Sequence, residues 1–544
     1  MSETTGTRKP RRGFLRAVTR RFGTWPLFGV ILVWVVLALV VFTVLGWLWG
    51  EGPLWSWQRW LTNWRGAGAG ADSLDLVKVS LTTIGGIGGT GYLVIKYRER
   101  ASAERADAEQ RLLSGVQQLG SGSPQVRIAG VYSLADVADT YRGEYRQRVV
   151  SILCGYLRTQ RGEWRTIVNE QDGPEQSSEE KVYVSHDGAV ESTVLEVLVR
   201  HLRKCCEKTE HREAVTQLVE DDQLWCDCTI DLYDAVITEI ADFRGATFNR
   251  YADFRGATFT NDVHFGGATF NNNADFQGAT FNNNANFQGA TFNNNANFWR
   301  ATFNNNANFQ GATFTNNANF QGATFTNNAN FRGATFNRDA DFWGATFTND
   351  VYFGGATFNR DANFQDATFT NDVYFGGATF TNNANFRGAT FTNDVYFGGA
   401  TFNNDADFGG ATFNRDANFR GATFNRYADF RGATFTNNAN FRGATFNRDA
   451  YFRGATFNRD AYFRGATFTN NANFRGATFT NNADFERATF TNDANFQGAT
   501  FSRSAPPRGL PPEQVDEDGL PHGARWADAD DEGLEAGSPD DAPR

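Results

Sequence analysis

The feature that most constrains this chain is a triplet, Ala-Thr-Phe, that returns at one fixed interval from Ala246 through Ala257 and Ala268 to Ala499, 24 copies without an insertion. So strict a short period is the signature of a solenoid. Phenylalanine advances by alternating steps of five and six, as at Phe243, Phe248, Phe254 and Phe259. A helix repeats at 3.6 and a strand at 2, so neither accounts for the series. A chain that bends sharply after each short side does, with every side sending one ring inward. The residue two places before each Phe is Ala, or Val as at Val263, Val351 and Val373, small enough to share the interior. The remaining positions are mostly Asn, Asp, Thr, Arg, Gln and Gly, as an outer surface requires. Four sides close one coil, so two repeat units predict about 22 residues per turn. Twelve such coils stacked about 4.8 Å apart give a rod of roughly 60 Å. A degenerate copy with Leu232 and Ile237 in place of Phe opens the array.

Units such as Ala241-Asp242-Phe243-Arg244-Gly245 and Ala285-Asn286-Phe287-Gln288-Gly289 resemble the pentapeptide-repeat family, whose members read Ala-(Asp/Asn)-(Leu/Phe)-x-Gly. The resemblance covers residues 230–501 and implies a β-solenoid, a right-handed quadrilateral β-helix. The departure is a sixth residue on alternate sides, for example within Asn271-Asn272-Asn273, which predicts bulged corners and a coil longer than a square one. Burying one Phe contributes about 1.5–3 kcal/mol. Rings repeated every coil would stack, and Asn and Thr at equivalent outer positions would form ladders. Open ends are the weak points. The segment before the array is expected to cap one end, and the acidic, Pro-containing residues 502–544 read as a disordered tail.

Upstream, residues 1–24 carry a basic cluster that includes Arg8, Lys9, Arg11, Arg12 and Arg16. Residues 25–49 are uncharged and almost wholly apolar, long enough for a membrane span. Residues 50–75 are Trp-rich and read as an outer loop, and residues 76–97 as a second span. Basic residues on both flanks then place both ends in the cytoplasm, making a multi-pass cell-membrane protein with a cytoplasmic array. This organisation is similar to membrane-anchored pentapeptide proteins of high-GC Gram-positive bacteria. Two motifs mislead. Arg11-Arg12-Gly13-Phe14-Leu15-Arg16 looks like a twin-arginine export signal, but no small-residue cleavage site follows. Gly86-Ile87-Gly88-Gly89-Thr90-Gly91 spells a dinucleotide fingerprint but lies inside an apolar stretch, where close helix packing is the plainer reading.

Residues 98–229 read as a small α-helical domain linking to and capping the array. Good helix formers fill 101–118, a break falls at 120–124, and amphipathic patterns follow near 126–134, 148–157 and 192–202, with a loop at 166–180. His201, Cys205, Cys206, His211, Cys226 and Cys228 are the one possible metal cluster, but the spacing lacks the paired Cys-x₂₋₄-Cys of zinc sites. The five Cys form no disulfide framework.

Near-identical repeats supply the same few side chains everywhere, whereas catalysis needs unlike groups brought together. The sequence therefore predicts no enzyme: no catalytic residue, no metal site and no cofactor. His264 takes the place of Tyr352 and Tyr374 in sister copies and reads as a surface variant. Asp at equivalent places could bind calcium weakly, but the glycine-rich calcium nonapeptide is absent. The expected function is a membrane-anchored scaffold whose rigid rod binds a protein partner. The alternative, drawn from the resemblance, is a DNA mimic that binds a type II topoisomerase, which would need a strongly negative rod. The array has 19 Arg against 23 Asp and Glu, so its charge is only weakly negative. A basic footprint for nucleic acid is lacking, and paired charges suited to transport are missing from both apolar stretches.

Overall fold

Residues 33, 36, 40, 72–168, 179–203, 219–492 and 494–527 are described in the computed structural model. The chain divides into two compact units, 1–110 and 111–544.

In the first unit the described residues are Val33, Val36 and Val40, all helical, and most of helix α1 (Asp72–Leu119), which ends in the second. The two expected transmembrane helices are not upheld. The first, 25–49, lies outside the described residues but for those three valines. The second, 76–97, is the N-terminal half of α1, and among the described residues no helix is long and apolar enough to cross a membrane. Lys78, Lys96, five glycines and several Thr and Ser dilute its apolar character. The helix runs without a break into a charged stretch held by Lys96–Glu99 and Arg100–Glu104 pairs at 2.8 and 2.9 Å. The multi-pass cell-membrane placement rested on those spans and falls with them, and the likeness to membrane-anchored relatives is left without support. The fingerprint-like glycines 86–91 lie in helical backbone, which forms no phosphate-cradling loop.

The second unit begins with a helical cap. Helix α2 (Pro124–Tyr141) starts on a proline whose missing N–H costs nothing in the first turn. A Cβ at Gly130 would lie 2.7 Å from the Leu119 backbone nitrogen, so only glycine lets α2 approach the end of α1 this closely. Helices α3 (Gly143–Arg158) and α4 (Gly188–Leu202) follow, with an antiparallel hairpin, β1 (Gly162–Val168) and β2 (Glu179–Ser185), between them. A loop was expected at 166–180, and no strands beside it. The hairpin's alternating Trp164, Thr166 and Val168 against Tyr183 and Lys181 pair in register, and residues 169–178 between the strands lie outside the description. Val149, Val150, Leu153 and Leu157 of α3 and Val194, Val197, Leu198 and Leu202 of α4 are buried in one cluster that continues into the array.

The array is the expected solenoid. Its first coil supplies β3 (Ile230–Asp231), β4 (Val236–Ile237), β5 (Ala241–Asp242) and β6 (Thr247–Phe248). Each pairs in parallel with its counterpart one coil further on, as Phe248 does with Phe270. Repetition builds four parallel sheets of 12, 14, 12 and 12 strands, one per side. Phe, Ala and Val of nearly every unit are at most 1% exposed. Phe rings of successive coils stack almost parallel, as Phe287–Phe309 at 4.8 Å and 0°, and meet other columns edge-on, as Phe287–Phe298 at 5.5 Å and 88°.

Two kinds of corner alternate. At the tight one, the Ala246 N–H donates to Phe243 C=O at 3.0 Å across Arg244-Gly245, and Gly245 has φ +67°, which an L-residue resists. Arg300, Asp366 and Arg487 hold the same place with φ 53°, 55° and 60°. The wide corner absorbs the sixth residue, so the ladders stay in register from coil to coil. Its side chains form the expected ladders: Asn305, Asn327, Asn349, Asn371 and Asn393 each donate from Nδ2 to the Asn one coil before, at 2.8–3.3 Å.

The C-terminal end is also capped. In place of a tail disordered from residue 502, the chain folds back as far as residue 527. Arg508 bridges Asp484, Leu520 is 3% exposed, and a last strand (Arg525–Trp526) adds to the strand Thr500–Phe501. Trp526 packs on the core where an open coil would otherwise expose its edge. Residues 528–544 lie outside the description.

Candidate interaction surface

The outward side of the array follows from its units. The strands that end in Phe point Thr outward, so the second and fourth sides each carry an unbroken column of threonines, Thr258 to Thr500 and Thr247 to Thr489. Variation is confined to the first and third sides, where the residue after the buried Ala or Val differs from coil to coil, and to the corners.

The first side carries a groove of about 440 Å³ between Asn273, Asn295, Asn317 and Asp339 on one flank and Asp275, Asn297, Asn319 and Asp341 on the other. The third side carries a distinct patch. Tyr352, Tyr374 and Tyr396 occupy one column on three successive coils, with rings stacked 5.0 Å apart. Each hydroxyl donates to the carboxylate two residues earlier, Asp350, Asp372 and Asp394, at 3.1 Å. Burial, helped by these carboxylates, pushes Tyr374 and Tyr396 up to about 12. His264 stands in the same column, as expected of a sister position. The sequence showed the Val-Tyr-Phe-Gly-Gly variant, but its clustering was missed. The missing signal was that these copies are spaced by one full coil and therefore share a face.

The junction of cap and array concentrates the unlike residues. Glu191 of α4 is fully buried and bonded to Arg161. It also accepts from the Thr238 and Glu239 N–H groups and from the Thr238 hydroxyl, while Arg161 donates to the Leu157 and Val236 carbonyls. The buried carboxylate and guanidinium thus pair with each other and with backbone of the first coil, leaving only Arg161 Nε without a partner. Nearby, Arg203 and Arg244 both bond Asp242. Burial opposes its charge, yet the hydrogen bonds and charges of Arg244 and Arg203 hold its pKa down to about 2.

Among the described residues the metal candidates do not converge. His201 stacks on Trp225 at 4.0 Å. Its ring nitrogens face Val197 C=O at 2.6 Å and Asp139 at 3.1 Å, and Asp139 also accepts from Trp225 Nε1 at 2.9 Å. Cys226 Sγ donates to Leu202 C=O. Burial pushes the Cys154 and Cys228 thiols up to about 12 and about 11, which withholds the thiolate that nucleophilic or metal chemistry needs. Cys205, Cys206 and His211 lie outside the description. Among the described residues no group of three or more His, Cys, Asp or Glu is placed to hold a metal ion. A cleft of about 570 Å³ in the cap is lined by Arg127, Arg161 and Asp187, but Arg127 pairs with Asp187 at 2.7 Å and Arg161 with Glu191.

No curated protein and no solved structure matches the chain. The profile of the family described as Pentapeptide repeats (9 copies) matches overlapping segments that together span residues 229–506, just over half of the sequence. With the coil, its Phe-Ala interior and its x-Gly corners, that match places the chain in the pentapeptide-repeat family.

Proposed function

We propose that this chain is a non-catalytic scaffold whose solenoid offers a rigid, patterned surface to a protein partner. One observation carries the reading. The interior is consumed by Phe, Ala and Val, and the outside repeats small polar groups in register, with departures gathered on two sides. Such a surface can be matched over many coils by a partner, whereas unlike reacting groups are not assembled on it. Photo-crosslinking in cells from outward positions on the four sides tests this. A specific protein recovered from positions on one side supports the scaffold, and background recovery from all four sides would sink it.

The DNA-mimic reading gains nothing from the fold. Mimicry of a duplex needs a continuous anionic face. Here Arg244, Arg255 and Arg431, in the corners two residues on, lie against Asp242, Asp253 and Asp429 and neutralise them locally. Unchanged supercoiling by a type II topoisomerase in excess of the purified chain is the expected result.

A further inference from the structure

Across most of the first and third sides, the column two places after the variable residue carries a long side chain: Gln288, Gln310, Arg332, Arg420 and Arg442 on the third side, for example. Next to the stacked tyrosines it carries Gly354, Gly376 and Gly398. These glycines are not demanded by the backbone. A Cβ there would meet no atom outside its chain neighbours closer than 3.6 Å, and their φ is not positive, unlike that of the following Gly355, Gly377 and Gly399. The fold would accept the Gln or Arg of sister coils, yet these three coils leave the flank of the tyrosine column bare. On its other flank runs the row Asp350, Asp372 and Asp394. Along residues 350–355, 372–377 and 394–399 this side carries those three carboxylates and no cation, and the next coil continues the row with Asp416 beside Arg415.

The chain itself shows what an Asp-x-Tyr unit of this kind accepts. At the N-terminal edge of the patch the Arg332 guanidinium lies over Tyr352, 4.3 Å from the ring centre. Farther along the same side the Arg442 guanidinium lies over Tyr462 at 4.0 Å, and the Tyr462 hydroxyl donates to Asp460 at 2.7 Å. A planar cation on the tyrosine beside a carboxylate is thus the contact this surface already makes with its own side chains, and the geometry favours arginine. Tyrosine and arginine are also the residues on which interface energy concentrates.

We propose that the Tyr352–Tyr374–Tyr396 face is the docking surface for an arginine-bearing, basic segment of a partner protein. The segment lies along the glycine column, its guanidinium groups meeting the tyrosine edges and the aspartate row. This rests on the scaffold reading and names the side and the chemistry of the partner.

The full chain and a photoreactive nona-arginine peptide test it, with labelled sites mapped and affinity read by anisotropy at physiological salt. Labels are expected on residues 350–399. Asp372→Asn with Asp394→Asn should weaken binding at least tenfold, and Tyr374→Asn with Tyr396→Asn several-fold. Gly354→Gln with Gly376→Gln should block it sterically to a similar degree. All of these are residues that sister coils carry at the same places, so the melting temperature should not move. Asp407→Asn on the first side is the control and should change nothing. Labels confined to the acidic C-terminal residues, equal affinity for all variants, or a nona-lysine peptide that binds as tightly would each overturn the proposal. Crosslinking in cells separates the two levels. A partner captured from position 297 on the first side and not from 374 removes this surface and leaves the scaffold, and capture from no side removes both.

Discussion

The helical cap and the array are held together by opposite means. In the cap each stabilising contact is made once, between residues far apart in sequence, such as Arg161 with Glu191 or Asp139 with His201 and Trp225. In the array the same contacts recur in coil after coil, within a coil at its corners and between neighbouring coils along its sheets. A unique contact has no substitute when it is lost. A repeated one is backed by the coil on either side, so damage should stay local. The lesson concerns where function can arise. An array of equals becomes specific only where it breaks its own pattern, and three coils of the third side do so in phase.

The largest loss is expected at Glu191. Glu191→Ala leaves Arg161 buried without its partner and strips acceptors from the Thr238 and Glu239 amides. The expected cost is about 3–5 kcal/mol, read by denaturant unfolding, with hydrogen exchange rising at 236–239. Unchanged exchange there would show that the pair does not join cap to coil.

Phe364→Ala, in mid-array, should cost a similar or slightly smaller sum, about 3–5 kcal/mol before neighbouring rings relax. Hydrogen exchange should rise only in the coils of Phe342 and Phe386, the rings that stack on it. Loss of protection throughout the array would contradict locality.

Asp139→Asn should cost about 1–2 kcal/mol and alter the fluorescence of Trp225, because one carboxylate serves both Trp225 and His201. An unaltered spectrum would mean that the carboxylate does not set the indole environment.

Arg487→Gly should stabilise the last coils by about 1 kcal/mol, since φ 60° strains any residue with a Cβ and glycine accepts it. A lower melting temperature would show that the corner tolerates arginine without strain.

The smallest effect is expected at Asp242. Its pKa is lowered in the folded chain, so the stability it contributes is present above the unfolded value near pH 4 and is lost as pH falls through about 2. Asp242→Asn should therefore lower the neutral plateau slightly and leave stability near pH 2 almost unchanged, which flattens the acid limb of the curve. A shift of equal size at pH 7 and pH 2 would remove the electrostatic account.

Much of the array was legible because its determinants are local and periodic. The 5–6 stride of Phe, the x-Gly corners and the Asn ladders all follow from residues at most one coil apart. The N-terminal half of α1 was misread because a run of Gly, Thr and Ile lacks charge without being apolar enough for a bilayer. The hairpin 162–185 was missed because Glu163, Arg165, Glu179 and Lys181 gave its strands the polarity of a loop. The C-terminal cap was missed for the same reason: acidic, Pro-rich composition hid Leu510, Leu520 and Trp526, apolar residues that pack on the end of the core.

By itself the sequence determined that this chain winds, how many residues each turn takes and which side chains fill the interior. A period is a property of neighbours, and burying every Phe at once admits only that path. Tertiary structure alone decided which copies share a side, and so that three tyrosines, three aspartates and three optional glycines meet on one surface. It alone joined Glu191 to the first coil and Trp526 to the last. Those are single contacts between unlike residues, and no repetition in the chain announces them.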